Sequence, residues 1–176
     1  MLERAKKRID KLLELALILL MGANVLNVLW QVFTRFVLKN PSSYTEELAR
    51  YLLIWVGLLG ASYAAGKKMH LAIDVVLQGL RNKAKVWVEI IIQVFIFLFS
   101  LFVMVVGGIR LVSITLTLNQ ISAALRIKLG YVYLVLPLSG IIIMFYTVVF
   151  IAERVRALSG KQLQAEVVAL ESQEGI

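Results

Sequence analysis

The chain has no cysteine, which excludes disulfides, thiol catalysis and iron–sulfur ligation. Charge is scarce as well. Asp, Glu, Lys and Arg make up 17% of the 176 residues, where a soluble domain of this length carries about 25%. The charge that is present is segregated. There is none for twenty residues between Glu14 and Arg35, none for twenty between Glu89 and Arg110, and none for twenty-four between Lys128 and Glu153. A helix crossing a hydrocarbon core of roughly 30 Å takes about 20 apolar residues, so these three runs qualify outright. Tyr51 to Gly66 gives sixteen more, enough for a fourth span if its helix starts near Tyr44.

The expected fold is therefore an all-α integral membrane protein with four transmembrane helices, at about 12–38, 44–66, 86–117 and 129–153. The first run is longer than the apolar core of a signal peptide and is followed by no small-x-small site, so it reads as a retained span. The net charge of +8 does not call for nucleic acid, because the basic residues flank the spans. Membrane topology and anionic phospholipid headgroups account for them. With both termini inside, thirteen Lys and Arg lie on the cytoplasmic side and six on the outer side, which satisfies the positive-inside rule.

Between the second and third spans, His70, Asp74, Gln78 and Arg81 recur at intervals of four, four and three, with apolar residues filling the other side. That is the period of an amphipathic helix. It is too short to span, and is expected over about 69–81 lying in the cytoplasmic interface. The third span, from Val86 to Thr117, is long enough to have to tilt, project or bend, and Gly107-Gly108 is the expected place for a bend. The domain organisation expected is one membrane domain over 1–158 and a polar tail over 159–176.

No span has Asp, Glu, Lys or His at its middle, and Arg110 is the nearest exception. A secondary transporter binds its ions near the midplane, with carboxylates or broken helices as ligands; neither is evident here. The first helix carries a polar stripe, Asn24, Asn27, Gln31 and Arg35, on one face. Lipid would leave these groups unsatisfied, so the stripe is expected to face protein. On the second helix Gly57, Gly60, Ala61, Ala64 and Ala65 allow close helix approach.

Between these helices, Asn40-Pro41-Ser42-Ser43 reads as a turn with Ser43 as helix cap. Glu46 and Glu47 then sit in the first turn, where carboxylates suit the helix dipole. Arg50 lies four residues beyond Glu46, and Arg35 ends the preceding helix within reach. With no pocket or nucleophile supplied, Arg35, Glu46, Glu47 and Arg50 are expected to form a charge staple at the outer face, or a docking surface for a partner. Catalytic residues are not expected. His70 and Asp74 alone make no zinc site, and no cofactor is implied. Asn119, Gln120, Arg126 and Lys128 mark the third loop, a further candidate surface for an acidic partner.

The order Gln31-x3-Arg35-Phe36, Pro41, Glu46-Glu47-x2-Arg50, Trp55-x-Gly57 and Gly66-x3-His70-x3-Asp74 resembles the small membrane subunit of TRAP transporters (tripartite ATP-independent periplasmic transporters, DctQ type). The resemblance covers residues 1 to about 158. Tyr44 departs from it, since members often carry tryptophan there, and the tail beyond Ser159 has no counterpart. It implies a bacterial inner-membrane complex of this subunit with a large membrane subunit, served by a periplasmic substrate-binding protein. The large subunit would hold the substrate and sodium sites and move by an elevator mechanism. The small one would enlarge its fixed scaffold. The cargo implied is a small organic acid of the C4-dicarboxylate or sialic acid type. Two other readings are a stand-alone small multidrug- or ion-type transporter or channel, which should carry a midspan carboxylate, and a membrane enzyme, which should cluster His, Asp or Cys at the surface. The sequence shows neither signature.

Overall fold

The computed structural model describes the backbone of residues 2–40, 42–67 and 82–174, and the side chains of 5–40, 42–67 and 87–155. The helices are α1 (Leu2–Phe36), α2 (Ser43–Gly66), α3 (Asn82–Phe99), a π-helical segment (Ser100–Gly107), α4 (Gly108–Thr117), α5 (Leu129–Tyr133) and α6 (Val135–Glu174). Among the described residues four stretches are long and apolar enough to cross a membrane: Ala5–Phe36, Ser43–Gly66, Trp87–Thr117 and Leu129–Val155. The chain is an all-α multi-pass membrane protein. The interfacial helix expected over 69–81, with His70, Asp74, Gln78 and Arg81, falls on residues outside those described.

α1 begins well before its charge-free run because Leu, Glu, Arg, Ala and Lys are all good helix formers. It ends where Lys39 takes a left-handed conformation (φ 52°) and the Asn40 N–H turns back to the Thr34 carbonyl at 3.1 Å. α2 starts one residue earlier than expected. Ser42 is the extended cap residue and its side chain caps nothing. The hydroxyl of buried Thr45 instead donates to the Ser42 carbonyl at 2.7 Å. A hydroxyl without water needs an acceptor, and the first turn offers that one.

The fourth span is the central helix. Half of its most apolar window is buried inside the chain, against 6% in the first span and 11% in the second and third. α2 packs on one side of α6, and α3 with the π segment on the other; α1 lies antiparallel against α2. The core joins Leu13, Leu59, Val135, Tyr146 and Phe150. The span is interrupted after α5 because Pro137 has no N–H to donate to the Tyr133 carbonyl, so the chain restarts as α6 at Val135.

The π segment accounts for the surplus length of the third span. Ser100, Met104, Gly108 and Val112 are buried at a strict interval of four. In an α-helix of 3.6 residues per turn, such a stripe drifts around the axis. The wider π turns keep these positions aimed at α6, where a Cβ at Gly108 would meet Pro137 at 2.9 Å and one at Gly140 would meet Met104 at 2.8 Å. The segment ends at Gly107-Gly108, the pair expected to mark a bend.

Candidate functional site: the two polar ends of the bundle

Polar side chains collect at the two ends. The hinge end holds the α1–α2 turn and the loop 118–128; the opposite end holds Asp10 and Glu14 of α1, Lys67, and Tyr146 to Arg154 of α6.

At the hinge end the four expected charges separate into three environments. Glu46 pairs with Arg50 one turn along α2, at 3.3 Å, and both side chains are about two-thirds exposed (65% and 67%). Glu47 points elsewhere. Its Oε1 accepts the Tyr51 hydroxyl at 2.7 Å, and its Oε2 accepts the backbone N–H groups of Ala124 at 2.8 Å and Leu125 at 3.0 Å. Two donors of the third loop thus end on a carboxylate of α2, in hydrogen bonds strengthened by its charge. Arg35 joins neither acid in an ion pair among the described residues. It is exposed, 6.0 Å from the Phe36 ring centroid, and lines a cleft of about 290 Å³ with Gln31, Ser42, Ser43 and Glu46. Neighbouring helical positions point about 100° apart, so Glu46 and Glu47 face different neighbours.

The pinned loop is ordered by its own bonds. Ser122 N–H donates to Ile127 at 2.8 Å and Leu129 N–H to Gln120 at 3.0 Å, while Ile121 and Lys128 form an antiparallel bridge. Asn119 and Arg126 take left-handed conformations at its corners, with φ 47° and 54°. Asn119, Gln120, Arg126 and Lys128 are all exposed on this loop.

Asn24, Asn27 and Gln31 of the polar stripe of α1 are half-buried. Asn27 donates to the Thr45 carbonyl on α2 at 2.7 Å, tying the two helices near the hinge. Gln31 lines the cleft with Arg35. The Asn24 Oδ1 is buried and accepts no bond among the described residues.

The opposite end holds a network that sequence reasoning missed. Lys67 lies 3.7 Å from both Asp10 and Glu14. Tyr63 donates to Glu14 at 2.5 Å, and the buried Tyr146 hydroxyl donates to Asp10. Partial burial works against the Lys67 ammonium, but Tyr63, Asp10 and Glu14 outweigh it and its pKa is raised. Close by, Lys6 sits over the Phe150 ring at 4.5 Å, and Arg154 pairs with Glu89 at 2.6 Å. The signal was present as two intervals of four, Asp10 to Glu14 and Tyr63 to Lys67, one on each antiparallel helix. Together these ties join α1, α2 and α6 at one end. Among the described residues, no three His, Asp or Glu side chains gather to hold a metal ion.

Comparison with known proteins gives this geometry a context. The family described as "Tripartite ATP-independent periplasmic transporters, DctQ component" matches residues 24–157. The sialic acid TRAP transporter small permease protein SiaQ of Vibrio cholerae is 26% identical over 167 residues, 95% of each chain. A putative TRAP transporter small permease protein of Haemophilus influenzae is 25% identical over 135 residues, 77% of this chain and 82% of that one. The sialic acid TRAP transporter permease protein SiaT of Haemophilus influenzae is 30% identical over 119 residues, 65% of this chain but only 18% of that much longer protein.

Proposed function

The chain belongs to the DctQ family of tripartite ATP-independent periplasmic transporters, a transport component and not an enzyme, and from that membership we propose that it serves as the static frame of its complex. In this reading it lies in the bacterial inner membrane with both termini cytoplasmic and buttresses the scaffold of a larger, moving membrane subunit. Its hinge end faces the periplasm and helps receive the substrate-binding protein. The membrane domain is residues 1–158.

The observation that carries the reading is the Glu47 clamp. A carboxylate of the second span holds the backbone of the loop that joins the third and fourth, so the hinge end behaves as one preformed surface. A docking face works best when little order has to be gained on binding. At the other end, the Asp10–Glu14–Lys67–Tyr63–Tyr146 network ties three helices together, as a frame that resists sliding requires. The cargo we favour is a sialic-acid-type organic acid taken up with sodium, since two relatives carry sialic acid in their names.

The test is reconstitution. The tagged chain, purified in mild detergent from its native membrane, should bring a much larger polytopic subunit in stoichiometric amount. Liposomes holding both, supplied with the binding protein, should take up the acid under a sodium gradient, while liposomes holding this chain alone should not. Solute movement by the chain alone would overturn the reading in favour of a self-sufficient transporter.

A further inference from the structure

Among the described residues, the acids at the ends of the spans find partners within the chain. Asp10 and Glu14 have Lys67, Glu46 has Arg50, Glu47 has Tyr51 and two backbone amides, and Glu89 has Arg154. Arg110 has no such partner. It lies on α4 inside the span Trp87–Thr117, seven residues or about 10 Å from the hinge-end limit of that span. Its side chain is exposed, and among the described residues it makes no ion pair or hydrogen bond. Arg8 and Arg35, which also make no ion pair among the described residues, sit at the two ends of the first span, where water is at hand.

Arg110 is also not alone on its face. Gly107, Arg110, Ser113 and Thr117 are all exposed and recur at three, three and four, the spacing of one helical face. Ser113 lends only its carbonyl, to the Thr117 hydroxyl at 2.8 Å; its own hydroxyl has no partner among the described residues. Elsewhere the exposed middles of the spans are apolar, as on α1 with Ile18, Leu19, Val25 and Leu26. Lipid suits those faces. It does not suit a guanidinium and hydroxyls at this depth, because ionisable residues in a span need a counter-charge or a wet cavity.

We propose that the Gly107–Arg110–Ser113–Thr117 face, running from the end of the π segment along α4, is the contact with a transmembrane helix of the larger membrane subunit, and that this helix carries a carboxylate that meets Arg110. The glycine lets the two backbones approach, and the hydroxyl of Ser113 adds a hydrogen bond across the contact. The guanidinium supplies a bidentate fork matched to a carboxylate. The proposal rests on the functional reading above, since it needs a larger membrane partner to exist.

The experiment compares wild type with Arg110→Lys, Arg110→Leu and Arg110→Glu, each tagged, expressed with the rest of its transporter and extracted in mild detergent. The readout is the molar ratio of the larger subunit to the tagged chain. Arg110→Lys should stay within about twofold of wild type, Arg110→Leu should fall several-fold, and Arg110→Glu should fall ~10-fold or more. Arg110 makes no ion pair or hydrogen bond among the described residues, so the melting temperature of each purified variant should match wild type. As a second measurement, the photo-crosslinker p-benzoylphenylalanine in place of Ser113 should capture the larger subunit, with the crosslinked peptide in an acid-bearing span. A wild-type chain that carries its partner while Arg110→Glu carries it equally well would overturn the proposal and leave the function intact. So would a Ser113 crosslink to phospholipid alone, which would make Arg110 a lipid-phosphate ligand. A wild-type chain that brings no larger subunit would overturn both.

Discussion

The ring of Tyr146 lies so close to the backbone of Gly66 that a Cβ at residue 66 would meet three of its carbons at 2.6, 2.8 and 2.8 Å. Glycine is what lets α6 press on the end of α2 there, and the press aims the Tyr146 hydroxyl at Asp10 on α1. One missing methyl group thus joins three helices.

Gly66→Ala should therefore destabilise the purified protein by about 1–3 kcal/mol, the usual cost of overfilling a packed site. Gly57→Ala is the control. A Cβ at Gly57 meets nothing within 4 Å, and alanine suits a helix interior better than glycine, so its thermal midpoint should equal or exceed wild type. Equal midpoints for the two variants would contradict the close Gly66–Tyr146 approach.

Glu47→Gln keeps the shape of the clamp but removes its charge, and Glu47→Ala removes the acceptors for the Ala124 and Leu125 amides. Hydrogen exchange at these two amides should speed up ~10-fold or more in Glu47→Ala, and by less in Glu47→Gln, because charged acceptors make the stronger bonds. Exchange in α6 should not change. Transport by the complex should fall without a change in the acid preferred. A shifted substrate preference with an intact loop would mean that Glu47 acts on the cargo and not on the frame.

The Glu46–Arg50 pair should matter little to stability despite its place in the same turn. Both partners are mostly exposed, and such pairs contribute about 0.3–0.5 kcal/mol. A double-mutant cycle with Glu46→Ala and Arg50→Ala, read by thermal unfolding, should give a coupling in that range. A coupling several times larger would mean that the pair is buried in the protein as purified.

Lys67 gives a pH prediction. Its folded-state pKa is raised. A group raised above its unfolded value, about 10.4 for lysine, contributes in full below that value and loses its contribution only as pH climbs through the folded one. Lys67→Met should lower the melting temperature by the same amount at about pH 6.5 and about pH 9. A penalty that shrinks across that interval would show the ammonium already losing its proton there.

The spans were legible because desolvating charge is so costly that charge-free runs of twenty residues have almost no other explanation. The partners of the charges were less so. Glu46 and Glu47 are neighbours in sequence and face different ways in space. Where the third loop lies decides what Glu47 does, and that location depends on packing between helices far apart in the chain. The Asp10–Lys67 contact depends in the same way on the antiparallel register of α1 and α2. The glycine pair at 107 and 108, expected to mark a bend, is where the π segment gives way to α4, and the π turns before it follow from the fit of Met104 and Gly108 against α6, which no local preference encodes.

The π segment also makes the third span tolerant of a change in length in a way the others are not. In ordinary helix, as in α1 or α2, the loss of one residue swings everything beyond it by about 100°. Ser100 through Gly107 hold about one residue more than α-helix would over the same turns, so taking one residue out of that stretch tightens it to ordinary helix. Arg110 and Ser113 would then stay close to the side they now present. A single-codon deletion between 100 and 107 is thus absorbed where it falls, and the same deletion in α1 or α2 would turn the far end of the helix to a new neighbour.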